Sequence, residues 1–295
     1  MDPSLRDRAI GLYDAFTHEH RDRRTLLRQM TALAGSVAAA EALIGGIAAA
    51  PAAAAMTDPA DARLVTRKGS YAIGGGASMT GYFAAPRNPA GPIGAVMVIH
   101  ENRGLQPHVE DVARRVALAG FFAVAPDFLS PQGGTPADEN AARDLIAKAD
   151  MDQVVAAGVA TIGRLRRLSH GTGRVGTIGF CWGGALVNRV ALAAGPGLAA
   201  AVSYYGPAPD PAEAPKLAVP LMLHYAGKDA RVAQTGGPWV AALKAAGKPV
   251  EAFDYPGVDH AFNNDTSAER YDKAAADLAW GRTIAFLHQH LDARA

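Results

Sequence analysis

Three side chains with the chemistry of a nucleophile, an acid and a base follow three different predicted strands of this 295-residue chain. Cys181, the only cysteine, comes directly after the apolar run 175–178, whereas Asp229 and His260 follow two later runs. A histidine that accepts the thiol proton converts cysteine into a nucleophile, and a carboxylate holds that histidine in the required tautomer. The three residues therefore predict acyl transfer through a Cys-His-Asp triad.

The residues around Cys181 have the pattern of a nucleophile elbow. They read Gly-Phe-Cys-Trp-Gly-Gly over 179–184, which matches G-x-S-x-G with cysteine in place of serine. Small residues are required at Gly179 and Gly183 because the nucleophile has a strained backbone and its neighbours are crowded. The next helix begins beside the sulfur, and its N-terminus favours a thiolate or an oxyanion. The alternative is a buried structural cysteine, since free cysteines are commonly buried.

Alternating apolar strands and helices position these residues. From residue 63 onward the sequence predicts about eight strands, the first two forming a hairpin around Gly74–Gly76. Such alternation is typical of a mostly parallel sheet with helices on both faces, which binds ligands at the carboxyl ends of its strands. The chain order of nucleophile, acid and histidine is that of the α/β-hydrolase fold. We therefore predict an α/β-hydrolase fold with an eight-stranded, mostly parallel sheet.

The loop after the third predicted strand supplies further candidates. The oxyanion of an acyl-transfer intermediate needs fixed hydrogen-bond donors, and we assign this role to Trp182 and Asn102. Glu101 ends the same strand, where its carboxylate would accept the S–H hydrogen bond of Cys181, hold the neutral thiol or take part in proton transfer. The alternatives for Glu101 are a solvated loop acid or a partner of Arg103.

The first 55 residues differ in composition from the rest of the chain. Residues 1–20 predict an amphipathic helix, and the pair Arg23-Arg24 precedes an alanine-rich apolar segment and the small residues 51–55. This series resembles a twin-arginine export signal with its cleavage site. A glutamate and three glycines in the apolar segment disfavour a permanent membrane span. We predict an extension over 1–55, a catalytic domain over 56–295 and a periplasmic or secreted protein. The alternative is a cytoplasmic protein that retains the extension, packed on the domain or on a second subunit.

The charge and residue composition of the chain limit the classes of molecule that it is expected to bind. The formal net charge of +1 argues against nucleic acid, and a single cysteine excludes an intrachain disulfide and a multi-cysteine metal site. The glycines near residue 179 do not form G-x-G-x-x-G, and the nine histidines give no convincing metal set. We expect no cofactor, no metal, a small-molecule ester or lactone as the substrate, and a monomer or homodimer.

From about residue 63 to the C-terminus the chain resembles the dienelactone hydrolases, or carboxymethylenebutenolidases. The shared motifs are H-E-N-R-G at 100–104, A-P-D at 125–127, I-G-F-C-W-G-G at 178–184, G-K-D at 227–229 and D-H-A-F at 259–262. The resemblance implies an α/β-hydrolase fold without a cofactor that hydrolyses the ester bond of unsaturated lactones. It places the triad on Cys181, Asp229 and His260. Glu101 is similar to the family's glutamate that contacts the resting thiol.

The chain departs from this family where the substrate carboxylate is recognised. Asn264 stands four residues after His260, where the family has an arginine, and ungapped counting places Glu139 near the family's second arginine. Arg143 or Arg103 is a possible substitute. The alternatives are therefore a broad short-chain carboxylesterase or a non-catalytic binding protein on a hydrolase fold; a cysteine peptidase is disfavoured because its motif and chain order differ. The candidate substrate-binding residues are Arg103, Phe180, Phe262 and Asn264.

Overall fold

A computed structural model describes residues 3–19, 21–48 and 56–293, and its centre is one sheet of eight strands. The strands are β1 (Leu64–Gly74), β2 (Ala77–Pro86), β3 (Ile93–Ile99), β4 (Phe122–Pro126), β5 (Gly171–Phe180), β6 (Ala200–Tyr204), β7 (Leu221–Ala226) and β8 (Val250–Tyr255). Their spatial order is β1-β2-β4-β3-β5-β6-β7-β8, with β1–β2 and β2–β4 antiparallel and the other pairs parallel. The predicted eight-stranded α/β-hydrolase sheet is confirmed.

Helices cover both faces of this sheet. In the described part of the chain they are α1 (Pro3–His18), α2 (Arg23–Ala34), α3 (Val37–Ile47), α4 (Pro107–Leu118), α5 (Glu139–Ala147), α6 (Met151–Leu165), α7 (Trp182–Ala194), α8 (Ala230–Ala245) and α9 (Lys273–Leu291). Apolar side chains of α4 and α9 pack on one face, and those of α6, α7 and α8 pack on the other. The central strands are therefore buried on both faces, as their continuous apolar sequences require.

Two helices begin at other residues than their apolar spacing predicts. The spacing predicts a helix over 238–246, but α8 begins at Ala230, because the Asp229 side chain accepts a hydrogen bond from the Val232 N–H and caps the first turn, while Pro238 is accommodated inside the helix. The spacing likewise predicts a helix over 267–291, but α9 begins at Lys273, after the cap Asp272. Residues 256–272 form turns instead, and they carry His260 to the edge of the sheet.

The extension forms three helices with a small apolar core of their own. Ala9, Tyr13, Leu26, Met30 and Leu43 are among the side chains buried there. No single helix in the described residues is long and apolar enough to span a membrane. Helices α2 and α3 meet that length and composition only when they are counted together, and they are bent by 110° relative to each other. The proposed cleavage stretch 51–55 lies outside the described residues.

The extension also lies against the catalytic edge of the sheet. Arg6 forms an ion pair with Asp259 at 3.1 Å, next to His260, and Arg270 forms one with Asp14 at 3.0 Å. The backbone N–H of Glu269 donates to the Gly46 carbonyl oxygen. Helix α1 and the end of α3 are therefore attached to the loops that follow β8.

Candidate active site

The turn between β5 and α7 holds Cys181 in a strained conformation. Its φ is 55°, in the left-handed region that side chains with a Cβ rarely adopt, and the residue is 5% exposed. A Cβ on Gly179 would lie 2.2 Å from the Gly183 carbonyl oxygen, and one on Gly183 would lie 2.5 Å from the His100 carbonyl oxygen. Only glycine fits at both positions, so the sequence requirement of the elbow follows directly from backbone contacts.

Asp229 and His260 meet at the same sheet edge. Asp229 ends the turn after β7, and its Oδ2 accepts a hydrogen bond from His260 Nδ1 at 2.5 Å. The other carboxylate oxygen accepts from the Val232 N–H at 3.0 Å, so the cap of α8 fixes the carboxylate that orients the histidine. His260 Nε2 is buried without a hydrogen-bond partner among the described residues.

The charges of the three residues are coupled. Burial disfavours the imidazolium of His260, but the negative charges of Cys181 and Asp229 outweigh burial and raise the pKa of His260 to about 10. Burial likewise opposes ionisation of Asp229, yet the charge and hydrogen bond of His260 lower the pKa of that carboxyl. Both shifts favour the state in which Asp229 is ionised and His260 carries a proton.

A second histidine from the extension enters the site. His18, at the end of α1, lies edge-on to His260 with ring centroids 5.0 Å apart. One nitrogen of each ring and the Cys181 sulfur lie within 4.8 Å of one another. Burial, assisted by the charges of His260 and Arg231, lowers the pKa of His18 well below its ordinary 6.5. The sequence interpretation that the histidines form no metal set did not anticipate this cluster.

The loop after β3 carries two of the predicted residues to the thiol. Glu101 lines a small cavity together with Cys181, His260 and His18. Its Oε2 accepts a hydrogen bond from Asn264 Nδ2 at 3.1 Å, and its buried Oε1 has no partner among the described residues. Glu101 is therefore partly buried beside the thiol, with one carboxylate oxygen free for a new hydrogen bond.

The two residues assigned to the oxyanion hole flank the same space. Trp182 is the first residue of α7, so its N–H has no acceptor within the helix. Asn102 lines both cavities that contain Cys181, while its side chain donates to the Thr17 carbonyl oxygen at 3.2 Å. The amide side chain of Asn102 thus holds the extension, which leaves the backbone N–H as the candidate donor.

The other substrate-binding candidates have structural partners. Arg103 donates to Glu139 at 2.6 Å and also to the Tyr13 hydroxyl, so its guanidinium connects α1 and α5. Phe180 and Phe262 are fully buried in the core, and neither lines the two cavities at Cys181. With Asn264 bonded to Glu101, the structure does not bring these four residues together as a substrate pocket.

Tyr205 belongs to the site but has no motif in the sequence that identifies it. Its ring centroid is 4.9 Å from that of His260, its φ is 38°, and its buried hydroxyl has no partner in the described part of the chain. Burial raises the pKa of Tyr205 well above its ordinary value, and the charges of Glu101 and Cys181 add to this effect. Tyr205 is fully buried and lines neither cavity at Cys181, so it packs against His260 from within the core and does not face a substrate.

A larger cavity of about 280 Å³ opens from Cys181 between α1, α5 and α8. Trp182, Met151 and Ile146 give it an apolar wall. Arg143 and Arg231 also line it, and each has one buried guanidinium nitrogen without a partner among the described residues. The cavity therefore combines apolar surface with two incompletely bonded cations.

Comparisons with known proteins give relatives of similar sequence and fold. A sequence profile described as "Dienelactone hydrolase family" matches residues 79–291. A protein of Escherichia coli (strain K12) named "Putative carboxymethylenebutenolidase" is 32% identical over 233 residues, covering 73% of this chain and 84% of that protein. The solved "Putative Dienelactone Hydrolase" of Klebsiella pneumoniae has a TM-score of 0.70 and 30% identity, covering 77% of this chain and 99% of its own. A dienelactone hydrolase of Anabaena variabilis, at 20% identity over 78% of this chain and 100% of its own, has a similar fold with a TM-score of 0.61.

Proposed function

The chain belongs to the dienelactone hydrolase family, and from that premise we propose that it cleaves carboxylic ester or lactone bonds through Cys181, His260 and Asp229. The observation that carries the proposal is the 2.5 Å contact between Asp229 and His260, with His260 Nε2 free on the side of the Cys181 elbow. It supplies the base and the orienting acid that a thiol nucleophile requires.

In the first half-reaction the Cys181 thiolate adds to the carbonyl carbon of the ester. The carbonyl oxygen becomes an oxyanion, which accepts hydrogen bonds from the backbone N–H groups of Trp182 and Asn102. The C–O bond then breaks, and His260 gives its proton to the departing alkoxide. The products are an alcohol, or the hydroxyl end of an opened lactone, and a thioester on Cys181.

In the second half-reaction water hydrolyses the thioester. His260 accepts a proton from the water while the oxygen adds to the acyl carbon, and the same two N–H groups stabilise the second oxyanion. Collapse of this intermediate releases the acid and returns the sulfur as a thiolate beside the protonated His260. When His260 returns its proton to the sulfur between turnovers, the neutral thiol would donate a hydrogen bond to Glu101, which lines the same cavity and whose Oε1 has no partner among the described residues.

We further propose that the preferred substrates carry a negative charge at a distance from the ester. The support is that Arg143 and Arg231 line the cavity that opens from Cys181, and that each has one buried guanidinium nitrogen without a hydrogen-bond partner among the described residues. A charge-assisted hydrogen bond to a carboxylate is worth about 1.5–3 kcal/mol. Arg231→Gln should therefore lower kcat/KM about 10- to 100-fold for an aryl hemisuccinate and leave that for aryl acetate near the wild-type value. An equal loss with both esters would contradict the charge assignment.

Inactivation of the thiol separates catalysis from the alternative of a non-catalytic binding protein. Cys181→Ala should abolish hydrolysis of both esters, and iodoacetamide should inactivate the wild-type protein in proportion to alkylated Cys181. The matched control is Ser169→Ala, an exposed hydroxyl residue that lines neither cavity at Cys181, which should keep its activity. Unchanged turnover in Cys181→Ala would refute the proposed mechanism.

We also propose, from the arginine pair at the start of α2, that the protein is exported. N-terminal sequencing of the protein recovered from the periplasm or medium of its native host tests this proposal. Recovery from the cytoplasm alone, with residue 1 intact, would contradict it.

A further inference from the structure

The catalytic sulfur has a second imidazole beside it that the proposed hydrolysis does not use. Hydrolysis requires one imidazole to move the proton, and Asp229 orients His260 for this task. His18 comes from α1, in a different part of the chain, yet its ring lies 5.0 Å from that of His260. The hydrogen bonds described for α1 do not include one from the His18 ring to another side chain, so its role is not explained by a polar partner.

The donor atoms of this cluster match those of a zinc site. Zinc in proteins prefers thiolate sulfur and imidazole nitrogen, and three protein ligands with one open position are typical of its non-structural sites. The Cys181 sulfur and one nitrogen each of His18 and His260 lie within 4.8 Å of one another. With Zn–S near 2.3 Å and Zn–N near 2.0–2.1 Å, tetrahedral ligands are about 3.5 Å apart, so roughly 1 Å of side-chain movement forms the site.

The surroundings of the cluster also suit a metal. Metal-bound histidines commonly donate their other ring N–H to a carboxylate, and His260 Nδ1 already bonds to Asp229. His260 Nε2 is buried and unpartnered, so it is the nitrogen available to the ion. Arg231, Arg270 and Arg103 are nearby cations that oppose a dication. The thiolate, Asp229 and Glu101 supply negative charges around the same cavity.

We propose that the full chain binds one Zn²⁺ through Cys181, His18 and His260, and that this ion reversibly inhibits the hydrolase. Binding places the thiolate in a bond to the metal and replaces the proton on His260, so neither group is available for acyl transfer. Because His18 belongs to α1, the ion also joins the extension to the catalytic domain. The site exists only while the extension covers the sheet edge.

Cobalt spectroscopy on the full chain tests the ligands directly. Co²⁺ replaces Zn²⁺ in such sites, and a thiolate ligand produces a charge-transfer band in the near ultraviolet while four-coordinate geometry intensifies the visible bands. We expect both features in the wild-type protein, loss of the charge-transfer band in Cys181→Ser, and weaker visible bands in His18→Ala. The control His170→Ala removes an exposed histidine and should give the wild-type spectrum. Wild-type protein without these bands, or a His18→Ala spectrum equal to wild type, would overturn the proposal.

Zinc titration gives a second, kinetic test. Loss of a residue that only bonds to a metal ligand costs about 10- to 100-fold in metal affinity, and His18 is proposed as a ligand itself. The Zn²⁺ concentration that halves the rate should therefore be at least about tenfold higher for His18→Ala than for the wild-type protein, each measured against its own rate without zinc. Zn²⁺ should also slow alkylation of wild-type Cys181 by iodoacetamide, and EDTA should reverse this. Alkylation that is insensitive to Zn²⁺ would refute the site even if His18→Ala failed to fold. Because the cobalt spectrum requires no turnover, failure of the zinc site and failure of the proposed hydrolysis are distinguished.

Discussion

Replacement of Asp229 by asparagine separates the charge of this residue from its structural role. One carboxylate oxygen caps α8 through the Val232 N–H, and the other accepts from His260. Asparagine caps a helix as well as aspartate does, so Asp229→Asn should keep the helix start. It removes the negative charge behind the imidazole and can present an amide donor to Nδ1, which favours the wrong tautomer.

The size of the effect follows from the titration of His260. Its pKa is about 10, against an ordinary 6.5, which corresponds to roughly 5 kcal/mol at about 1.36 kcal/mol per pH unit. This is the net stabilisation of the imidazolium, because the charges and hydrogen bonds of Cys181 and Asp229 exceed the cost of burial, with the charge of the sulfur larger than that of the carboxylate. If Asp229 supplies about 2 kcal/mol of it, the loss is roughly 30-fold in rate, and the wrong tautomer adds to that loss. We therefore expect kcat/KM to fall about 10²- to 10⁴-fold.

Steady-state hydrolysis of aryl acetate measures this loss, and circular dichroism with thermal melting monitors the fold. The matched variant Asp229→Ala loses both the charge and the cap, so it should lose similar activity and also about 1 kcal/mol of stability. Less than a tenfold loss of kcat/KM in a folded Asp229→Asn protein would refute the reasoning, because the carboxylate would then contribute little to the charge on His260.

Three further predictions test separate parts of the structure. Glu101→Gln removes a carboxylate from the cavity of the nucleophile but keeps its amide partner, so the pH profile of iodoacetamide alkylation should shift; an unshifted profile would exclude Glu101 from the thiol chemistry. Burial lowers the pKa of His224 to about 3, whereas an unfolded imidazole has a pKa of about 6.5. The unfolded chain therefore binds one more proton than the folded protein between about pH 6.5 and pH 3. The free energy of unfolding should fall by up to about 1.4 kcal/mol for each pH unit of acidification in this range. Urea unfolding of His224→Asn between neutral pH and about pH 4 should lack this part of the slope, and an undiminished slope would contradict the assignment. Gly183→Ala should prevent stable folding because its Cβ would lie 2.5 Å from a backbone carbonyl oxygen. Gly281 lies within α9, where a Cβ would have open space, so Gly281→Ala should raise the stability by about 0.5–1 kcal/mol in thermal melting; equal melting temperatures of the two variants would refute the packing argument.

The fold and the placement of the triad could be predicted because both depend on local sequence. Apolar strands identify the sheet, and parallel strands bring their carboxyl ends to one edge, so residues that follow β5, β7 and β8 must meet there. Cys181, Asp229 and His260 have this position in the chain. The motif also predicts the close backbone contacts at Gly179 and Gly183, because only glycine leaves room for them.

The rest of the site could not be predicted because it depends on contacts between distant segments. His18 reaches His260 only after α1 has packed across the sheet edge, and nothing in its own sequence neighbourhood marks it. Tyr205 has an unusual φ of 38° that no glycine signals. Arg103 is a possible substitute for the family's carboxylate-binding arginine, and its bonds to Glu139 and Tyr13 depend on the packing of α5 and α1, which its sequence neighbourhood does not show.

The three N-terminal helices connect the export proposal with the chemistry of the site. The arginine pair begins α2, whereas α1 supplies His18 and one wall of the cavity at Cys181. Cleavage within 51–55 would release both together, along with the ion pairs of Arg6 and Arg270. A cleaved protein would then have an open thiol site and no zinc ligand from the extension, whereas a retained extension would keep the site covered. Zinc-dependent protection of Cys181 in protein taken from its native host therefore reports which form exists there.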